Sequence, residues 1–237
     1  MYADTARYYD RIYAFKDYAA EVERLAAIIE AHRPGEQPSS APRLLDVACG
    51  TGLHLEHLKT RFDAQGLDLC PELVEIAREH NPDVTFHLGD MRTFDLDRRF
   101  DIVTCLFSSI GYMTTIEDLH RAIGWMAAHL VPGGLLVIEP WLTPDAWTPN
   151  TVHGLYIDDP DLKIARINTS FVDGRLSIFD LHHLIGTPEG TTHVVEHHEM
   201  GLFTVDEMNE SFVAAGLDID YDPEGLTGRG LHVGRKA

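Results

Sequence analysis

Residues 44–52 read Leu44-Leu45-Asp46-Val47-Ala48-Cys49-Gly50-Thr51-Gly52. An apolar strand runs into a small turn punctuated by glycine, and a helix follows from Leu53. Glycine lets a backbone turn sharply and approach a ligand where a side chain would clash. The turn opens toward a helix N-terminus, whose free N–H groups favour negative charge. Two familiar phosphate-binding readings fail. A dinucleotide fingerprint needs a third glycine, and Leu55 stands at that place. A P-loop closes on Gly-Lys-Ser/Thr, and none follows.

Outward from this turn, strand and helix patterns alternate. Strands are expected at residues 43–47, 64–69, 84–88, 101–107 and 135–139, and helices at 53–62, 72–80 and 116–130. Pro71 suits the first turn of the second helix. Pro132-Gly133-Gly134 is read as the turn into the fifth strand. Such alternation predicts an α/β fold with a doubly wound parallel sheet, whose ligands bind beyond the carboxyl ends of the strands. An amphipathic helix over 17–32 precedes it, with Val22, Leu25, Ala26 and Ile29 at helical spacing. After Pro140 the pattern changes to strands joined by turns, with Asp173-Gly174 as a hairpin signal. A helix over 205–215 and two short strands then return to the main sheet. The expected organisation is a core over 1–140, an antiparallel β insertion over 141–203, and a closing segment over 204–237.

The formal net charge is −19, from 38 acidic and 19 basic residues. That excludes a sequence-independent nucleic-acid binder, which needs a basic footprint. No apolar run reaches the roughly eighteen residues of a membrane span. Cys49, Cys70 and Cys105 are isolated, as in a reduced cytoplasmic protein. His182-His183 and His197-His198 sit on strands, where neighbours point to opposite faces. They are read as surface or packing histidines, and no metal is expected.

The glycine turn resembles motif I of the class I S-adenosylmethionine (SAM) methyltransferases, D/E-x-x-x-G-x-G, with Asp46, Gly50 and Gly52 filling the pattern and Ala48 inside it. SAM is therefore the expected cofactor. Asp68, with Leu69 after it, ends the second strand, where a carboxylate can accept both ribose hydroxyls. The resemblance gives Asp90 and Met91 to the adenine. Phe107 and Ser109 end the fourth strand beside the reactive methyl, Phe107 for the cofactor and Ser109 for the substrate. Core packing and a turn remain open for these two. Tyr9 and Tyr18 belong to a tyrosine-rich N-terminus that can close over the cofactor, or simply pack a helix on the sheet.

The resemblance narrows further. The turn followed by His54-Leu55-Glu56-His57-Leu58 is similar to the nucleotide-amino-sugar N-methyltransferases of macrolide pathways. Matching blocks are Lys16-Asp17-Tyr18, Gly89-Asp90-Met91-Arg92, Phe107-Ser108-Ser109-Ile110-Gly111, Glu139-Pro140-Trp141 and Gly228-Arg229-Gly230-Leu231. This implies a seven-stranded class I fold with an added antiparallel sheet, methylation of a sugar amine on a thymidine diphosphate (TDP) carrier, and a homodimer. Tyr112 and Tyr2 stand where relatives carry groups near the amine. A tyrosine with pKa near 10 is a poor base, so positioning is their expected role, with packing as the alternative. Trp141 can stack on a sugar or thymine ring or pack in the core. Arg229, between two glycines, is the expected diphosphate ligand. Arg166 and Arg175 either join it or pair with carboxylates. The chain departs from the family pattern at Leu142, where a second aromatic is usual, and in the short loop before Lys16. A different small acceptor and a silent SAM-binding protein are the competing functional readings.

Overall fold

The computed structural model describes residues 5–33 and 40–237. Tyr2 lies outside them. Five strands, β1 (Arg43–Val47), β2 (Asp63–Asp68), β3 (Thr85–Leu88), β4 (Phe100–Cys105) and β5 (Leu130–Ile138), pair in parallel. Two later strands, β10 (Leu217–Asp222) and β11 (Leu231–Lys236), extend the sheet at the β5 edge, and β11 runs antiparallel to both of its neighbours. The seven-stranded order is β10-β11-β5-β4-β1-β2-β3. The chain moves from β1 to β3 in one direction and then returns to place β4 against β1. That reversal opens a crevice at the carboxyl ends of β1 and β4.

The near-continuous apolar strands reflect burial on both faces. Leu44, Ile102, Leu135 and Val137 join one core layer, with Val22, Leu25 and Ile29 of helix α2 (Tyr18–Ala31) and with Leu55 and Leu58 of α3 (Leu53–Leu58). Val74 and Ala77 of α4 (Pro71–His80) complete that layer. Leu45, Val103, Leu136 and Ile138 point the other way, against Leu119, Ile123 and Met126 of α5 (Ile116–Ala128) and Met208 and Phe212 of α6 (Val205–Ala214). Side-chain caps start three of these helices: Asp17 for α2, Thr115 for α5, and a Thr204–Glu207 capping box for α6.

One turn reading is corrected. Pro132-Gly133-Gly134 does not precede β5 but lies inside it. Phe100 pairs with Leu130 and Ile102 with Leu135, so the extra residues bulge out while the strand continues.

The remaining strands form a separate antiparallel sheet in the order β6 (Val152–Asp158), β7 (Lys163–Asp173), β8 (Leu176–Thr187) and β9 (Gly190–Gly201). Burial alternates along the middle of β8 and the second half of β9. Leu181, His183, Ile185, Glu196 and His198 are buried, while His182, Leu184, Val195 and His197 face outward. Among the described residues, no helix is long and apolar enough to cross a membrane, and no three metal-ligating side chains cluster.

Candidate active site

An open cleft lies at the switch point, lined by Tyr9, Tyr18, Asp46, Ala48, Cys49, Gly50, Thr51, Leu53, His54, Leu106, Phe107 and Ser109. The glycine turn forms its floor. Ala48, Gly50 and Gly52 all have positive φ, at 59°, 57° and 77°. At Gly52 a Cβ would also stand 2.9 Å from Asn81 Nδ2, so both conformation and space require glycine.

Asp68, 8% exposed at the end of β2, anchors this turn. Its carboxylate accepts from the Gly50 N–H at 2.8 Å and the Cys70 N–H at 2.9 Å. Burial still raises its pKa. Leu69 beside it is 60% exposed, leaving an apolar surface next to a buried acceptor. Asp46 is buried under the turn, accepts from Thr104 Oγ1 at 2.7 Å, and is pushed up to about 6 by burial. A nucleoside with vicinal hydroxyls and a cationic head matches this donor set: a buried carboxylate, an apolar shelf and an aromatic-walled cleft.

Asp90 follows β3, with its carboxylate forked by Arg92, including a 2.6 Å contact from Nη2. That pairing lowers the Asp90 pKa. Met91 packs on the core layer of α5 and α6.

Above the cleft, aromatic and cationic side chains interlock. The Tyr9 and Tyr13 rings stand 4.6 Å apart, and Tyr13 meets Phe107 edge-on at 5.2 Å. Burial raises the Tyr9 pKa, and the neighbouring Tyr13, Tyr18 and Tyr112 add to it. Arg166 reaches the Tyr13 hydroxyl at 3.3 Å. Arg229 lies 5.9 Å from the Phe107 centroid and 5.2 Å from that of Trp141, and donates to Ser108 Oγ at 2.8 Å. Trp141 donates to Ser177 Oγ and packs beside Trp147 and Phe179. Gly111 permits that approach, since a Cβ there would stand 2.7 Å from Trp141 Cβ. Tyr112 stands on the 3-10 turn Ser109–Tyr112, hydrogen-bonded to His198.

Three parts of the site escaped the sequence reading. Glu139 is fully buried at the end of β5. Its carboxylate accepts from the Phe107 N–H at 2.8 Å and from Thr227 Oγ1 at 2.6 Å, so one side chain ties the cleft wall to the Arg229 loop. Phe107, bonded to it, and Ser108 both adopt left-handed backbone, at φ 51° and 64°. Beneath Phe107, Lys16 Nζ lies 3.8 Å from the ring centroid and 2.7 Å from Glu21. Glu21 also holds His54 at 2.9 Å. Burial works to raise the Glu21 carboxyl, but His54 and Lys16 hold it below its usual value. The third part is His198, whose place on β9 put it far from motif I in sequence. Glu139 and Lys16 fall in the Glu139-Pro140-Trp141 and Lys16-Asp17-Tyr18 stretches, and an acid ending an apolar strand was the available signal for the first.

Arg175 takes the carboxylate reading, pairing with Glu207 at 3.0 Å. Arg166 and Arg229 have no carboxylate partner among the described residues.

The switch-point cleft, its glycine turn and the buried strand-end carboxylate define a class I SAM-dependent methyltransferase, and a methyltransferase domain model matches residues 44–134. The dTDP-3-amino-3,6-dideoxy-alpha-D-glucopyranose N,N-dimethyltransferase of Streptomyces fradiae is 40% identical over 98% of this chain and 90% of its own. The crystal structure of Streptomyces venezuelae DesVI superposes with a TM-score of 0.90 at 39% identity, covering 99% of both chains. SAM-bound CalS10, an amino pentose methyltransferase from Micromonospora echinaspora, gives 0.83 at 39% identity over 94% of this chain and 92% of its own. The chain belongs to this family of dTDP-amino-sugar N-methyltransferases.

Proposed function

We propose that the enzyme methylates the amine of an amino sugar carried on thymidine diphosphate, twice in succession. The observation that carries this reading is the pair Arg166 and Arg229. In a chain with net charge −19, two guanidiniums without carboxylate partners among the described residues flank one aromatic wall. A diphosphate fits their forked donors.

Bound SAM supplies an electrophilic methyl group on a sulfonium. The chain's residues do the rest. Asp68 accepts from the ribose hydroxyls, and Leu69 and Met91 flank the base. Asp90 takes the adenine amine once Arg92 passes to Asp118, which it already contacts at 3.3 Å. Gly50, Gly52, Ala48 and Asp46 shape the floor, and Tyr9, Tyr18 and Phe107 exclude water. Arg229 and Arg166 hold the diphosphate and Trp141 stacks on a ring. Ser109 and Tyr112 lie beside the amine. No strong base is required, because water takes the proton and fixed approach geometry lowers the barrier by several kcal/mol, on the order of 7 or more at best.

Incubation with SAM and dTDP-3-amino-3,6-dideoxyglucose, read by mass spectrometry, tests the assignment. Mono- and then dimethylated nucleotide sugar is the expected result. Turnover of simple amines or phenols but not of nucleotide sugars overturns it.

The segment over 141–203 is proposed as the acceptor wall on its inner face and the contact between two copies on its outer face. Tyr156, Ile167, Leu184 and Val195 are exposed there, at 66%, 54%, 52% and 47%. Strand register places them on one side. Sedimentation showing a monomer at micromolar concentration removes this part.

A further inference from the structure

A buried acid–base cluster stands beside the cofactor cleft. Glu21 of α2 accepts from Lys16 Nζ, at 2.7 Å on Oε1 and 3.0 Å on Oε2. Its Oε2 also meets His54 Nε2 at 2.9 Å. Burial works to raise the Glu21 carboxyl, yet His54 and Lys16 hold it below its usual value. The ionised carboxylate only accepts, so His54 carries on Nε2 the proton it gives to Glu21. Lys16 already balances the Glu21 charge. The imidazole has to supply one N–H there and no second positive charge.

His54 lines the cleft from α3, two residues past Gly52. Tyr18 meets its ring edge-on, with centroids 4.9 Å apart and 77° between planes. The other nitrogen, Nδ1, has no hydrogen-bond partner among the described residues and is not sealed from solvent. A side chain only 8% exposed thus leaves one lone pair open at the cleft. Across from it, Lys16 Nζ lies 3.8 Å from the Phe107 ring centroid, so one carboxylate braces two cleft-lining residues. A lone pair calls for a donor. The methionyl arm of SAM carries a sulfonium, a carboxylate and an α-ammonium, and of these only the ammonium has N–H groups to give.

We propose that His54 holds the α-ammonium of the SAM methionyl arm through Nδ1, with Glu21 and Lys16 as positioning residues that keep the imidazole proton on Nε2. The inference rests on the placement of SAM in the switch-point cleft and is independent of which acceptor is methylated. A carboxylate brought to the same point would set lone pair against lone pair. The cluster therefore also decides which way round the amino-acid end of the cofactor lies. Anchoring that end limits rotation at the sulfonium, and with it the line along which an acceptor can approach the methyl group.

Calorimetry with three adenosine ligands tests it without turnover. S-adenosylhomocysteine, the demethylated cofactor, carries ammonium and carboxylate, its decarboxylated form carries only the ammonium, and methylthioadenosine carries neither. His54→Phe keeps a ring edge-on to Tyr18 and leaves Glu21 paired with Lys16, so the fold should hold. Kd should rise about tenfold or more for the first two ligands and change less than about threefold for the third. Glu21→Gln should show the same selective loss. Its one oxygen stays with Lys16, so its amide donates to Nε2 and drives the imidazole proton onto Nδ1. Independent of how any variant folds, 15N NMR of the wild type, with His54 assigned through the backbone, should show Nε2 protonated and Nδ1 bare. The Nδ1 signal should move with the two ammonium-bearing ligands and not with methylthioadenosine. Equal losses for all three ligands, a loss confined to the one with a carboxylate, no loss, or a proton on Nδ1 overturns the proposal. Leu69→Asp, at a side chain 60% exposed, should weaken all three ligands alike. If it leaves all three unchanged, the placement of SAM fails instead.

Discussion

Arg229→Ala separates the acceptor from the cofactor. The guanidinium donates to Ser108 Oγ at 2.8 Å and rests 5.2 Å from the Trp141 centroid. Ser108 also donates to the Pro140 carbonyl at 2.8 Å, so truncating Arg229 leaves that hydroxyl satisfied. The fold loses little, and the ligand loses a charge-assisted contact. Such a bond contributes about 1.5–3 kcal/mol. At about 1.4 kcal/mol per tenfold, KM for the dTDP-amino sugar should rise roughly 10- to 100-fold. Affinity for SAM, measured by calorimetry without acceptor, should hold, because Asp68 and the glycine turn are untouched. Arg229→Lys should fall between, keeping the charge and losing the fork. A KM change within about threefold, or an equal loss of SAM affinity, refutes a diphosphate at Arg229.

Glu139→Ala should weaken SAM and nucleotide sugar together, since it releases both Phe107 and Thr227, and should cost about 3 kcal/mol of stability or more in urea titration. Glu139→Gln should be mild, because the amide can accept from Phe107 and donate to Thr227. Gly52→Ala should abolish SAM binding by calorimetry before it abolishes folding, given the 2.9 Å clash and the φ of 77°. Stability should also fall in acid. His183, His198 and His232 are each 1% exposed, with burial driving each imidazole down to about 4. Between the unfolded value near 6.5 and that point, the unfolded chain binds protons that the native chain does not, so stability drops as pH drops. Asp46, pushed up to about 6, works in the opposite direction by taking up a proton in the native state. The balance is a loss of at most about 4 kcal/mol from about pH 7 to about pH 5. A flat stability profile over that interval refutes the dry histidine sites.

The strand–turn–helix order was legible because each element carries a local reason. β1 matched its expected bounds of 43–47, and the buried strands announced themselves by two-faced apolarity, with Leu44 and Leu45 feeding opposite core layers. The antiparallel sheet was legible through its turns, with Asp173-Gly174 marking the hairpin between β7 and β8. The Pro132–Gly134 bulge was not. Proline and glycine mark a turn locally, and only the partner strand, with Phe100 and Ile102 opposite Leu130 and Leu135, shows that pairing resumes beyond it.

The glycine-turn side of the cleft could be read from sequence because its parts lie close in the chain: the Gly50 N–H donates to Asp68 across one β-α-β step. The side proposed for the acceptor has no such compactness. Tyr13, Phe107, Trp141, Arg166 and Arg229 meet from five distant segments, and nothing in their local sequence specifies which carboxylates they avoid. Glu139 shows why this matters. A buried carboxylate costs free energy unless its acceptors are filled, and here they are filled by the backbone of the cleft wall and by the loop that carries Arg229. Removing either donor would strand the charge. On the proposed function, the position of Arg229 as diphosphate ligand is thereby coupled to that of the cofactor wall, so acceptor specificity can change by substitution at Arg166, Arg229 or Tyr112, while a Glu139 substitution that removes both acceptors, unlike Glu139→Gln, disturbs both halves of the site.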